Sequence, residues 1–284
     1  ESVSSIARVE AYDAVGALLW NNPAVPSAQD FIDARILLDA EEGLGSRVDR
    51  RYDVHYAPPG DGAACDEEGV AELHFDYCVG PALLRPVLND AFVAGAGGTD
   101  PVVNAEIIHA ALQWFLYVSV IKEMTTCATT ARDCDSGWAY YTGGGERDAA
   151  IGLAAEIDLL APGTHDRIYD GVLAVRCWRD LDPAVPAEDA DMQALAIAQL
   201  DRALIHGMSI LIRQRFIALE ACTDEEEQAA IHESLILLAP LFDLAVRAQD
   251  ANAADAILAE VDKATADVDV DAAVAAIDSV FLCP

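Results

Sequence analysis

Two long stretches of the chain, residues 100–124 and 187–221, are apolar on nearly every side when drawn as α-helices. A helix without a continuous polar face has to be covered by neighbouring elements, so both stretches are expected at the centre of a bundle. Other segments repeat apolar residues at helical spacing, and alternating strand patterns are few. The sequence therefore predicts an all-α, multi-helix bundle of nine or ten helices.

The helical pattern is interrupted between residues 46 and 80, where prolines, glycines and two cysteines cluster. This composition predicts one irregular, disulfide-containing segment. A second break follows at the glycine run 143–145. We interpret the chain as a single all-helical domain, 1–284, in which 1–145 and 146–284 are the candidate substructures.

Several helix starts are predicted from capping residues. Asp100 followed by Pro101 is typical of an N-cap and a first helical position. The run Thr223-Asp224-Glu225-Glu226, a capping residue followed by acids in the first turn, predicts the start of another helix. The acidic run 267–271 is similar to a calcium-binding loop, but Ala272 stands where that loop needs glycine. This run is therefore also interpreted as a helix start.

The seven cysteines indicate an oxidising compartment. Cys127 and Cys134 are seven residues apart and predict a disulfide, and Cys65 and Cys78 flank a similar turn-rich stretch. No Cys-x-x-Cys pair that would indicate zinc or redox chemistry is present. The first residues, 1–5, are typical of a mature end after signal-peptide cleavage, so we expect a periplasmic or extracellular location.

The formal charge of −32 constrains the partners. It disfavours nucleic acids and anionic membrane surfaces, and either haloadaptation or a cationic ligand would explain it. No apolar run reaches the roughly 18 residues of a membrane span, because His109 and Gln113 interrupt the longest one. No nucleophile elbow, phosphate loop or His-Glu-x-x-His motif is present, so we expect a binding protein and not an enzyme.

Polar residues in the two apolar helices give candidate sites. Glu106 and His109 have the Glu-x-x-His spacing that brings both side chains to one metal ion in helical bundles. The later helix carries a narrow polar stripe, which predicts either a polar cavity or salt bridges to neighbouring helices. The members of this stripe that we assign to a cavity or to a companion anion such as carbonate are Arg202, His206, Arg213 and Glu220.

Both helices contain a histidine followed by a glutamate fourteen residues later, namely His109 with Glu123 and His206 with Glu220. The offset of 97 residues is consistent with a duplicated helical unit, and chance similarity is the alternative. If the helices pack antiparallel, His109 is expected near Glu220, and His206 near Glu123.

The stretch from Asp133 to Arg147 combines carboxylates with phenols, which are hard oxygen ligands for ferric iron or calcium. The alternative is an aromatic helix packed on the core, followed by a glycine loop. Its segment Trp138–Gly144, preceded by a long helix and a cysteine-flanked loop, resembles the low-iron-inducible periplasmic proteins of algae, an iron-assimilation family that also has bacterial members. The resemblance covers about residues 104–146 and implies extracellular iron binding for uptake.

Taken together, the sequence favours a periplasmic or extracellular protein that binds iron or another hard cation for metal acquisition. The alternative is a structural or interaction protein of the cell envelope with internal salt bridges and no ligand. The predicted metal ligands are Glu106, His109, Glu123, Tyr140, Tyr141 and Glu146.

Overall fold

The computed structural model describes residues 2–60, 62–179 and 189–281, and within them the chain forms thirteen α-helices and no strand. The predicted all-α bundle is confirmed. The structure has more helices than the nine or ten predicted, partly because two four-residue helices lie in the irregular segment. The sequence shows no helical periodicity there. The helices are α1 (Val3–Leu18), α2 (Ala28–Asp39), α3 (Gly45–Val48), α4 (Val70–Leu73), α5 (Arg85–Ala96), α6 (Pro101–Thr126), α7 (Ala131–Thr142), α8 (Leu153–Leu160), α9 (Pro162–Trp178), α10 (Ala190–Ala221), α11 (Glu225–Arg247), α12 (Ala251–Val261) and α13 (Val270–Val280).

The two long apolar helices occupy the middle of the bundle. α6 packs against α5, α7, α8, α10 and α11, while α10 also contacts α8, α9, α11 and α13. Buried apolar side chains form one cluster that extends from Val9 in α1 to Phe281 after α13. The predicted start of the longest helix at 187 lies outside the described residues; the described helix begins at Ala190.

Side-chain capping hydrogen bonds begin five of the thirteen helices of the described residues. Both helix starts predicted near 224 and 267–271 are confirmed. Asp224 accepts hydrogen bonds from the backbone of α11, and Asp269 caps α13 in the same way. Pro101 is the first residue of α6, but the prediction of Asp100 as its side-chain cap is wrong. Asp100 has φ +40°, outside the extended region that an N-cap needs, and the side chain of Asn104 instead donates to the carbonyl of Asp100.

Both local disulfides predicted from the sequence are present. Cys127 and Cys134 close the turn between α6 and α7 with a Cα–Cα distance of 4.8 Å. Cys65 and Cys78 form a disulfide within the irregular segment, with a Cα–Cα distance of 5.4 Å. Cys283 lies outside the described residues.

The irregular segment is attached to the bundle by an ionic contact. His55 lies between the carboxylates of Asp53 and Asp201, at 2.6 and 3.0 Å, and Asp201 belongs to α10. The hydrogen bonds to Asp201 and Asp53 raise the pKa of His55 to about 10. The imidazolium therefore ties the segment to α10 at neutral pH.

Two helices, α10 and α11, are long and apolar enough to cross a membrane by length and composition. About half of the apolar window in each is buried against other helices in the described structure, at 56% and 50%. Core helices of bundles have the same properties, so these two helices are weak evidence for a membrane span.

Candidate functional site

Polar side chains from three helices meet at the floor of a cleft of about 740 Å³. Glu106, His109 and Gln113 project from one face of α6, because residues spaced by three and four lie above one another on a helix. Glu156 of α8 and Arg215 of α10 complete the floor. We call these five residues the α6 cluster.

His109 is the central member of the α6 cluster. Its Nδ1 lies 3.2 Å from Oε2 of Glu106, and its Nε2 lies 3.0 Å from Oε1 of Glu156. The side-chain nitrogen of Gln113 donates to the other oxygen of Glu156 at 2.6 Å. The hydroxyl of Tyr12, from α1, also donates to Glu156. The imidazole is therefore held between two carboxylates.

Arg215 closes the α6 cluster from the side of α10. Its guanidinium donates to Oε1 of Glu106 at 2.9 Å and to the side-chain oxygen of Gln113 at 2.8 Å. Its Nε donates to the hydroxyl of Ser234 in α11 at 3.0 Å. Two carboxylates thus face two cationic groups, so the α6 cluster is close to neutral when His109 is protonated.

The charges in the α6 cluster shift one another's protonation. Burial alone would lower the pKa of His109, but the negative charges of Glu106 and Glu156 outweigh it and raise the pKa to about 9. Burial would raise the pKa of Glu106, but His109 and Arg215 lower it to about 2. The pKa of Glu156 is also lowered, since His109 outweighs the effect of burial. At neutral pH, His109 is therefore an imidazolium between two carboxylates.

An aromatic ring covers the imidazole. Trp20, which follows α1, stacks on His109 with ring centroids 4.6 Å apart and an angle of 6° between the planes. Both residues line the cleft, whose walls include the apolar side chains of Val25 and Leu159. A π-face next to a cationic ring favours its protonated state. The cleft thus combines apolar walls with a polar, ionised floor, which is typical of a ligand site.

Carboxylates, an imidazole and a phenol are possible ligands for a metal cation. The two carboxylates bind opposite nitrogens of the His109 ring, however, and do not converge on one point. Among the residues that the structure describes, no group of three or more histidine, cysteine or acidic side chains is arranged to hold a metal ion. A cation would have to displace the proton of His109 and draw the carboxylates together.

The other predicted metal ligands lie elsewhere. Glu123 and Tyr140 are brought together with Arg51 at a second cleft: Arg51 pairs with Glu123 at 2.8 Å, and its guanidinium lies 4.8 Å from the centre of the Tyr140 ring. Tyr141 is buried, and its hydroxyl lies 2.9 Å from Nδ1 of His165. Glu146 is exposed after α7.

The predicted cavity residues of α10 do not line the first cleft. Arg213 forms two hydrogen bonds with Asp278 of α13, at 2.7 and 2.9 Å. His206 stacks on Phe281, with ring centroids 6.1 Å apart. Arg202 and Glu220 are exposed.

The predicted antiparallel pairs are not formed either. His109 is bonded to the residues of the α6 cluster, and Glu123 is bonded to Arg51 and Lys122. Neither His109–Glu220 nor His206–Glu123 is among the hydrogen bonds and ion pairs of the described residues.

Sequence reasoning missed three contributors to the first cleft: Glu156, Arg215 and Tyr12. Glu156 and Tyr12 lie in the amphipathic helices α8 and α1, whose orientation relative to α6 is a long-range property of the fold. Arg215 could have been noticed in the sequence, because it is a charged residue on the mostly apolar α10. Such a charge needs a buried partner.

The chain matches no protein-family model, no curated protein and no solved structure.

Proposed function

We propose that the chain is a periplasmic or extracellular binding protein that holds a transition-metal cation, with iron as the first candidate, at the α6 cluster. The observation that carries this proposal is the meeting of two ionised carboxylates and an imidazole at the floor of an open cleft. The proposal keeps Glu106 and His109 from the predicted ligands and adds Glu156. The role proposed is binding, without catalysis.

The proposal is supported by the way in which a metal ion could replace the proton of His109. His109 is protonated at neutral pH because its pKa is about 9. If the imidazolium is deprotonated, the cluster keeps two carboxylates and gains a neutral nitrogen ligand, a donor set that suits iron, manganese or zinc. The two disulfides favour an oxidising compartment, where such a protein would meet its metal outside the cytoplasm.

The test is calorimetric titration with ferrous iron under anaerobic conditions, in parallel in two buffers of different ionisation enthalpy. We expect saturable binding with release of about one proton per metal ion at neutral pH, since His109 must lose its proton to coordinate. Glu156→Gln and His109→Ala should abolish binding. Glu146→Gln, the same substitution at an exposed acid, is the matched control and should leave binding unchanged.

Two results would overturn this assignment. If Glu156→Gln and His109→Ala bind iron as tightly as the unchanged protein, the metal is held elsewhere. Loss of binding in Tyr140→Phe combined with Tyr141→Phe would instead favour the phenolic ligands predicted from the sequence.

A second candidate function is a structural or interaction protein without a ligand. The observation that favours it is the satisfaction of both His109 nitrogens and the balance of charge in the α6 cluster. This candidate predicts that neither ferrous iron nor manganese or zinc binds to the unchanged protein. It also predicts that substitutions in the cluster lower stability alone.

A further inference from the structure

A second cleft, of about 850 Å³, gathers positive charge in this very acidic protein. The seventeen lysines and arginines of the chain are outnumbered by forty-nine acids. Six of the seventeen line this one cleft, together with four acids. The basic residues are Arg8, Arg47, Arg50, Arg51, Lys122 and Arg132. Positive charge is thus concentrated in this cleft, whereas the rest of the surface would repel an anion.

Acids pair with four of these six basic residues. Arg132 lies 3.7 Å from Asp133, and Arg50 lies 3.6 Å from Asp66, which is outside the cleft lining. Glu123 is shared between Arg51 and Lys122, at 2.8 and 3.2 Å. Asp135 pairs with Arg176, which lies outside the cleft lining. Arg8 and Arg47 are thus the basic residues of the cleft to which no described acid pairs.

Arg8 is the residue that most needs a partner. It lies in the first half of α1 and is 4% exposed, yet no described residue forms a hydrogen bond or ion pair with it, and its Nε is buried without an acceptor. Arg51, 3% exposed, also has a buried Nε without an acceptor. A buried guanidinium without an acceptor is costly, because its hydration is lost and nothing replaces it.

Arg47, at the end of α3, shares this environment. It is half-buried, and no described residue forms an ion pair with it. Burial lowers the pKa of Arg47, and the positive charge of Arg8 lowers it further. Repulsion between two guanidiniums is relieved when an anion enters between them. The first turn of α1, with Ser4 and Ser5, lines the same cleft and adds neutral donors at a helix N-terminus.

We infer that this cleft is a binding site for a small oxyanion of the phosphate class, inorganic phosphate or a phosphate monoester, held by Arg8, Arg47 and Arg51. Guanidinium forks donate two parallel hydrogen bonds to such oxygens, and serine hydroxyls supply further donors. The charge of −32 excludes large polyanions, whereas a small ion inside the cleft is screened from the outer surface over about 10 Å. The site is independent of the proposed cation site, because it uses none of the same residues.

The test is equilibrium dialysis of the whole protein with radiolabelled inorganic phosphate at about 0.1 M ionic strength, where the screening length is about 10 Å. Saturable binding is expected in the unchanged protein. Arg47→Gln should weaken it about 10-fold or more, the loss expected for a hydrogen bond to a charged group. Arg202→Gln, which removes the same charge from an exposed site on α10, is the matched control and should change binding less than about 2-fold.

A second measurement covers variants that are too unstable for dialysis. Phosphate should raise the urea midpoint of the unchanged protein with the logarithm of its concentration above the Kd, and it should do so much less for Arg8→Gln. No binding of phosphate up to about 10 mM would overturn the inference. So would equal binding by Arg47→Gln, or arginine-dependent binding of citrate in the absence of phosphate binding.

Discussion

Replacement of His109 by glutamine should remove a pH-dependent part of the stability. The folded-state pKa of His109 is about 9, against an ordinary value of 6.5. A group with a raised pKa stabilises the fold fully below its unfolded-state pKa, and this contribution is lost as the pH rises through the folded-state value. At about 1.4 kcal/mol per pKa unit, the contribution of His109 is about 3 kcal/mol at pH 6 and close to zero at pH 10. Glu106 does not titrate in this window, because its pKa is about 2.

The assay is urea unfolding followed by circular dichroism, with the disulfides intact, between about pH 6 and pH 10. The difference in unfolding free energy between the unchanged protein and His109→Gln should shrink by about 3 kcal/mol across this range. His74→Gln is the matched control, because it makes the same substitution at a histidine to which no described carboxylate bonds. Parallel pH curves for the unchanged protein and His109→Gln would refute the imidazolium assignment.

Three further predictions concern stability and are checked by urea unfolding. Arg215→Leu should cost about 2–3 kcal/mol, because Glu106 keeps only His109 as a cationic partner and the hydrogen bonds to Gln113 and Ser234 are lost; a loss below about 1 kcal/mol would contradict this role of Arg215. Cys127→Ser combined with Cys134→Ser should cost about 2–3 kcal/mol through loss of a short loop closure, and free thiols at both positions in non-reduced peptides would contradict the bond. Gly143→Ala should cost about 1–3 kcal/mol, since φ is +62° and the new Cβ would overlap the side chain of Ile151, whereas Gly163→Ala meets open space and should be near neutral.

The parts of the fold that local chemistry determines could be predicted from the sequence. The start of α11 follows from Asp224 and the acids behind it, and the burial of α6 follows from its lack of a polar face. Asp100 is the instructive failure. The residue type fits a cap, but the backbone at Asp100 takes a left-handed conformation, and its side chain accepts no hydrogen bond from the backbone of α6.

Only the contacts of the candidate site that lie within one helix could be predicted from the sequence. Spacing along α6 placed Glu106 beside His109. Glu123, predicted as a ligand of the same cation, lies about 21 Å further along the axis and pairs with Arg51 instead. Glu156 could not be found in this way, because its approach to His109 depends on how α8 packs against α6. The aromatic helix α7 shows the same limit: Tyr140 faces Arg51, whereas Tyr141 is turned into the core beside His165.

The length of α6 explains how one helix serves both clefts. Its first half supplies His109 to the cation cluster, and its second half supplies Lys122 and Glu123 to the basic cleft. Thirteen or fourteen residues of helix separate these groups by roughly 20 Å, about twice the distance over which charges are screened at physiological salt. A cation at one end therefore changes the electrostatic energy of an anion at the other end very little. Iron and phosphate should bind independently, so the failure of one titration would leave the other proposal intact.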